Sequence, residues 1–265
     1  MTSSSDSEGT GLALTSDGSL VDPEALWDIP VDWVEEPNVR RGGWSGVSRA
    51  TAIDVDGTEV SLFVKHQRNH NCGTWGGLLK GKPTFYREWR NFRRCEAWGV
   101  PTAEVLYYGQ RGDEALLATR GLTTYVNLDV ALANCNTEQE RSKLLTALGA
   151  ILSRLHRTKW RHGGLHCGHI FVDRRTRDIK LIDLEKMVRR LGPTDAAFRD
   201  LTQLRRGTPG FTDDDLETVL ASYSRLLAIP RLRALIQRRV AAKKGRDQAA
   251  HVARSPSVGL LPVSK

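Results

Sequence analysis

The chain has 265 residues, 40% hydrophobic and 26% charged, with 39 Lys and Arg against 31 Asp and Glu for a formal charge of +8. This composition excludes a wholly disordered chain, and no apolar run approaches the roughly 18 residues that a membrane-spanning helix needs. The basic excess favours anionic partners such as phosphates, nucleotides, acidic lipids or nucleic acid, without choosing among them.

Residues 1–24 are mostly small and polar, without periodicity, and read as a flexible tail. Met1 to Gly11 lacks the basic and apolar regions of a secretory signal, so a cytoplasmic location is expected. Two β-rich segments, Val47 to Ile53 and Val60 to Lys65, flank Asp56-Gly57, a hairpin signal because both residues tolerate positive φ. Cys72 to Pro83 is a loop by its glycine content. Thr84 is the expected N-cap of a helix carrying Phe85, Trp89, Phe92 and Cys95, which Gly99 and Pro101 stop. Glu104 to Tyr108 and Ala115 to Thr119 read as two more strands. The four cysteines, at 72, 95, 135 and 167, form no C-x-x-C pair and are expected to be free thiols.

The second half is mainly helical. Thr137 and Glu140 have capping-box spacing ahead of a helix that places Leu144, Leu148, Ile151 and Leu155 on one face. Two short strands, Ile170 to Val172 and Ile179 to Ile182, surround a polar turn. Helices follow at about 195–206 and 213–228, the second capped by Thr212. Between Arg231 and Arg246 lie seven basic residues and no acidic one, leaving a charge of only +1 elsewhere. The C-terminus from this run onward reads as loose, with 241–265 a flexible basic tail. The order of elements predicts an α+β fold of two lobes, a β-rich one over 25–120 and a helical one over 121–240.

Four features that carry chemistry fall in order along this frame. Gly42-Gly43-Trp44-Ser45-Gly46 is a glycine-rich turn of the kind that lets backbone N–H groups approach phosphate, with Gly43 and Gly46 as candidates. Ordinary loops share that composition. Lys65 ends the apolar run Leu62-Phe63-Val64 and needs an anionic partner unless it reaches solvent. Glu88, early in the first helix, can supply that partner; its alternative is a surface carboxylate. The fourth feature is the most specific. His162-Gly-Gly-Leu-His-Cys-Gly-His169 is followed, after a strand pair, by Asp183-Leu-Glu185. Protein kinases carry H-R-D-L-x-x-x-N, a strand pair and then D-F-G. His162 takes the motif histidine, His169 the metal-binding asparagine position and Asp183 the D-F-G aspartate.

The strings NVRRGGWSGVSR, FVKHQ, PTFYREWRNF, HGGLHCGHIFV and LIDLEKM resemble the lipopolysaccharide kinase InaA family over about residues 34–226. That family belongs with the lipopolysaccharide core heptose and Kdo kinases, remote relatives of protein kinases. The resemblance implies a bilobal protein-kinase-like fold, ATP with Mg2+, and phosphorylation of a sugar of the lipopolysaccharide inner core. The partner it implies is a glycolipid met at the cytoplasmic face of the inner membrane, where basic residues would contact anionic lipid.

One position departs from the kinase pattern. Gly164 stands where the catalytic aspartate belongs, and glycine can neither accept a proton nor orient a hydroxyl. His166 is a candidate substitute base, and Glu185 a candidate extra metal ligand. The departure also supports a rival function, a pseudokinase that binds nucleotide or acts as a scaffold. His162, His166, Cys167 and His169 invite a zinc reading as well, although four ligands in one tight loop are sterically awkward. Asp200 could hydrogen-bond the catalytic loop from behind or be a solvent-facing helix aspartate. Trp44, Trp75 and Trp89 could stack on a sugar or base, with core packing the alternative. Nucleic-acid binding through the basic C-terminal run is not expected, because no aromatic residues interleave with the charges.

Overall fold

The computed structural model describes residues 11–40, 42–69, 83–223 and 231–242. The glycine-rich stretch from Cys72, with Trp75, and the termini 1–10 and 243–265 lie outside the described residues. The N-terminal part is a five-stranded antiparallel sheet. Its strands are β1 (Asp32–Arg40), β2 (Gly43–Ile53), β3 (Glu59–Arg68), β4 (Val105–Arg111) and β5 (Glu114–Arg120), in the order β1-β2-β3-β5-β4. The Asp56-Gly57 turn joins β2 to β3, with Gly57 at φ 82°.

Between β3 and β4 runs helix α1 (Thr84–Ala97). Phe85, Glu88, Phe92 and Cys95 form its buried stripe at helical spacing. Each phenylalanine removed from water contributes about 1.5–3 kcal/mol. The helix ends in a Schellman motif. Gly99, at φ 63°, donates its N–H to Glu96 O at 3.0 Å, and Val100 donates to Cys95 O at 2.8 Å. At the other end Pro83, not Thr84, is the N-cap, and it provides no side-chain cap.

Two sequence expectations are corrected at the edges of the fold. Residues 11–22 are not a loose tail. Leu12, Leu14 and Leu20 are buried with Ala52, Leu62 and Val64, and Leu12 and Leu14 exchange backbone hydrogen bonds with Ile53. Likewise the basic run is not loose throughout, since 231–242 is a helix with Leu232, Ile236 and Val240 buried at i, i+4 and i+8. Its arginines occupy the outer face.

The second part contains β6 (Tyr125–Asn127), α2 (Leu128–Ala133), α3 (Glu138–Arg157), β7 (Trp160–Arg161), β8 (Ile170–Asp173), β9 (Ile179–Leu181), β10 (Val188–Arg189), α4 (Pro193–Gly207) and α5 (Asp213–Ala221). The helix over 231–242 is α6. Strands β6, β8 and β9 form one small sheet, and β7 with β10 form another. Thr212 and Asp215 make a complete capping box on α5. At α3 the reciprocal half falls one residue early: Thr137 accepts from Glu140 N, but Glu140 takes its bond from Asn136 N.

The main core is continuous between the parts. Phe85, Phe92 and Leu117 belong to the same buried cluster as Leu148, Leu155, Leu165 and Leu201. The architecture is α+β and bilobal, of the protein-kinase-like type. Among the described residues no helix is long and apolar enough to cross a membrane.

Candidate active site

Lys65 lies on β3, and α1 crosses behind it. Lys65 Nζ donates to Glu88 Oε1 at 2.7 Å and stands 3.9 Å from Asp183 Oδ1. Burial pulls the Lys65 ammonium down, but the Glu88 and Asp183 carboxylates more than offset it, so its pKa lies above the ordinary value. Burial pushes the Glu88 carboxyl up, against the opposing Lys65 charge. Glu88 is fully buried, and its second oxygen, Oε2, has no hydrogen-bond partner.

Two residues that sequence reasoning missed set the position of α1. Gln67, two residues after Lys65 and so on the same face of β3, accepts the Phe85 N–H at 2.9 Å. It thus caps from another element the helix end that Pro83 leaves without a side-chain cap. Asn91, one turn after Glu88 and fully buried, donates to Leu184 O at 2.7 Å. Its Oδ1 accepts from Arg94, whose guanidinium lies 4.5 Å over the Trp160 ring. Helix α1 is therefore fastened both to the turn after Asp183 and to the strand leading into His162. Gln67 and Asn91 fall inside the strings FVKHQ and PTFYREWRNF, but the kinase pattern gives neither a role, and only their polarity within a buried stripe could have marked them.

Asp183 has φ 58° and ψ 60°, in the left-handed region. Aspartate tolerates that region better than most side chains, and such residues cluster at functional sites. This backbone sends its carboxylate between Lys65 and His169. His169 Nδ1 lies 2.7 Å from Gly164 O, and His169 Nε2 lies 3.3 Å from Asp183 Oδ2. A carbonyl only accepts, so Nδ1 carries the proton and Nε2 presents a lone pair. Burial pushes the His169 pKa down to about 4, which keeps the ring neutral.

The loop between β7 and β8 is held from beneath. Asp200 of α4 is fully buried and accepts the N–H of His162 at 2.5 Å and of Gly163 at 3.1 Å. His156 Nε2 lies 3.1 Å from the same carboxylate, and His156 Nδ1 lies 2.8 Å from Tyr223 Oη. Burial raises the Asp200 pKa, but the His156 bond and the neighbouring donors and charges outweigh it and hold the group below the ordinary value. Of the two readings open for Asp200, the loop-supporting one describes its place.

His162 uses both ring nitrogens on the backbone. Nδ1 accepts from Gly164 N at 3.2 Å, and Nε2 donates to Ile182 O at 2.9 Å. It therefore has no lone pair left for zinc. His166 Nδ1 accepts from Gly168 N at 3.1 Å, so in the neutral ring the proton sits on Nε2. In this arrangement His166 offers a donor, not the base lone pair the sequence suggested. Its ring lies 3.9 Å from that of His169.

The paired glycines differ. Gly163 has φ 84°, and a Cβ there would fall 2.3 Å from Lys186 O, so the backbone itself requires glycine. Gly164 has no such constraint: its nearest atom to a Cβ would be His169 Nδ1 at 3.4 Å. Gly43 is also explained by backbone approach, since a Cβ would meet Asn69 O at 2.3 Å. Gly46 is buried within β2 opposite His66. The site thus brings together Lys65, Glu88, Asp183, His169, Gly164, His162 and His166. Gly43 and Gly46 lie on β2, which pairs with the strand that carries Lys65. Glu185 points toward Lys186, 3.5 Å away, while its charge reaches Lys65 and Glu88.

Protein InaA of Escherichia coli strain K12 is 28% identical over 207 residues, covering 74% of this chain and 93% of InaA. Among solved structures, aminoglycoside-3'-phosphotransferase of type VIII is similar at a TM-score of 0.49 and 17% identity, over 81% of this chain and 96% of that one. WbdD is similar at a TM-score of 0.41 and 18% identity, over 68% of this chain and 42% of that one. Residues 24–223 match the family described as "Lipopolysaccharide kinase (Kdo/WaaP) family". With a match over most of its length, and a lysine–glutamate–aspartate cleft of the kinase kind, the chain belongs to the lipopolysaccharide kinase (Kdo/WaaP) family.

Proposed function

We propose that the chain is an ATP-dependent phosphotransferase that phosphorylates a sugar hydroxyl of the lipopolysaccharide inner core. The observation that carries this reading is the Lys65 ammonium set between Glu88 at 2.7 Å and Asp183 at 3.9 Å. A lysine so held binds phosphate oxygens without collapsing onto a single carboxylate. His169 Nε2 and Asp183 Oδ2 face each other as two acceptors, an arrangement a divalent cation satisfies. Mg2+ would be held there, with Glu185 nearby, and supplies charge neutralisation to the phosphate oxygens.

The chain's own residues do the rest. Lys65 holds phosphate, and Glu88 holds Lys65. Asp200 fixes the loop through the His162 and Gly163 amides, and His166 offers Nε2–H to a phosphoryl oxygen. Phosphoryl transfer depends mainly on positioning and charge, so a site without the aspartate at 164 retains most of its means.

The acceptor is reached at the cytoplasmic face of the inner membrane. Supporting this is a stretch beside the catalytic loop where Lys186 and Arg189 are exposed, Val188 is 42% exposed and Leu191 is 95% exposed. Basic and apolar side chains together suit an anionic lipid surface. The outer arginines of α6 add to the attraction.

Gly164 favours a second reading, a pseudokinase. Single-turnover ATP consumption with core oligosaccharide separates the two. We expect Lys65→Ala and Asp183→Ala to slow it by at least about 10²-fold. Parity of both variants with the parent chain would remove the enzyme reading and leave the nucleotide-binding one.

A further inference from the structure

Where kinases present an asparagine amide to the cation, this chain presents an imidazole. That changes the chemistry of the position, and the local geometry fixes how. Gly164 O takes the Nδ1 proton of His169 at 2.7 Å, so the nitrogen facing Asp183 is the unprotonated one. A backbone carbonyl accepting the far N–H is the usual support of a metal-ligating histidine, since it sets the tautomer and aims the ring. The His166 ring, 3.9 Å away, packs against His169 from another side.

The separation also fits. Neighbouring ligands of an octahedral ion at about 2.1 Å stand about 3 Å apart. His169 Nε2 and Asp183 Oδ2 stand 3.3 Å apart. The Oε2 of Glu88, the carboxylate that holds Lys65, is buried without a hydrogen-bond partner. Mg2+ is a hard ion that prefers oxygen, whereas imidazole nitrogen favours first-row transition ions. Mn2+ combines octahedral coordination with tolerance of nitrogen.

We infer that His169 ligates the divalent cation directly through Nε2, and that this makes the cleft select Mn2+ over Mg2+ more strongly than an asparagine at the same position would. The inference rests on the phosphotransferase reading, because the cation enters with nucleotide.

The test uses the full chain with Mn2+ and ADP and reads the metal itself. Pulsed electron paramagnetic resonance detects 14N coupling from a directly bound imidazole. The expected result is such coupling in the parent chain and its loss in His169→Asn. Competition between Mn2+ and Mg2+ for the ADP complex should show the Mn2+ preference falling by roughly tenfold in His169→Asn. A Mn2+–ADP complex without 14N coupling would overturn the inference and leave the phosphotransferase reading standing. Absence of any ADP-dependent Mn2+ binding would overturn both. Should His169→Asn fail to fold, the spectrum of the unaltered chain decides alone.

Discussion

The two halves of the cleft are built to different degrees of completeness. On the side proposed for nucleotide, Lys65, Glu88 and Asp183 engage one another. Lys65 contacts Glu88 and approaches Asp183, Asp183 approaches His169, and α1 is fastened at Gln67 and Asn91. On the side proposed for the acceptor the loop is supported from beneath by Asp200, yet Gly164 brings no side chain to it. The difference separates holding a loop from arming it. Asp200 and His162 serve the backbone of the loop and need nothing at 164. The side chain at 164 matters only to whatever lies in front of it.

The strongest way to break this comparison is to arm the bare side. Gly163 cannot accept a side chain, but Gly164 can, because its Cβ would make only ordinary contacts with His169 and His162. Gly164→Asp should therefore fold. General-base assistance typically contributes about 10²–10⁴-fold. If the acceptor half lacks only this group, turnover of core oligosaccharide by Gly164→Asp rises within that range, while nucleotide affinity stays put. A folded Gly164→Asp chain with unchanged turnover would mean that the acceptor half is complete by other means.

The next test strikes the support beneath the loop. Asp200→Ala removes a buried carboxylate that accepts from two loop amides and faces His156. Leaving those donors buried and unpaired costs about 3–5 kcal/mol. Chemical denaturation should report a loss of that size. Asp200→Asn keeps the shape and some of the acceptor capacity, so it should lose less. Equal stability of Asp200→Ala and the parent would show that the loop is held some other way.

How much of this was legible depends on whether a residue works through a pattern or through a place. Lys65, Glu88, His162 and Asp183 sit in short motifs whose spacing is set by strands and one helix, so their order gave away their neighbourhood. The β2–β3 hairpin was legible because Asp56-Gly57 is a local signal. Strand β1 was not, since Glu36, Pro37 and two register irregularities break its alternation at a sheet edge. Leu12, Leu14 and Leu20 were hidden among Ser, Thr, Asp and Gly, too few to make a period; only the sheet face they cover explains them. In α6 the arginines masked a clear i, i+4, i+8 apolar stripe. Asn91 shows the limit most plainly, for its partner Leu184 is 93 residues away and the bond is to a backbone carbonyl.

The smallest expected effect separates the acid response of the sheet from that of the cleft. His66 lies on β3 next to Lys65 but on the opposite face, with its Nε2 2.7 Å from Ser48 Oγ and its ring 5.5 Å from that of Trp33. Burial pushes its pKa down to about 4 from the ordinary 6.5. Above pH 6.5 neither the folded nor the unfolded chain protonates it, and the stabilising contribution is complete. As pH falls from 6.5 toward 4, the unfolded chain binds a proton that the folded chain resists, so stability falls. A full shift of this size corresponds to about 3 kcal/mol, and partial solvent contact reduces it to about 1–2 kcal/mol. His66→Gln keeps a polar partner for Ser48 and removes the titration. Denaturation at pH 7 and pH 4.5 should therefore show a smaller loss in His66→Gln than in the parent, by about 1–2 kcal/mol. The loss that remains in His66→Gln belongs to the other groups, including His162 and His169, whose pKa values burial also lowers. An identical loss in both chains would assign the whole acid response away from the sheet and toward groups such as these.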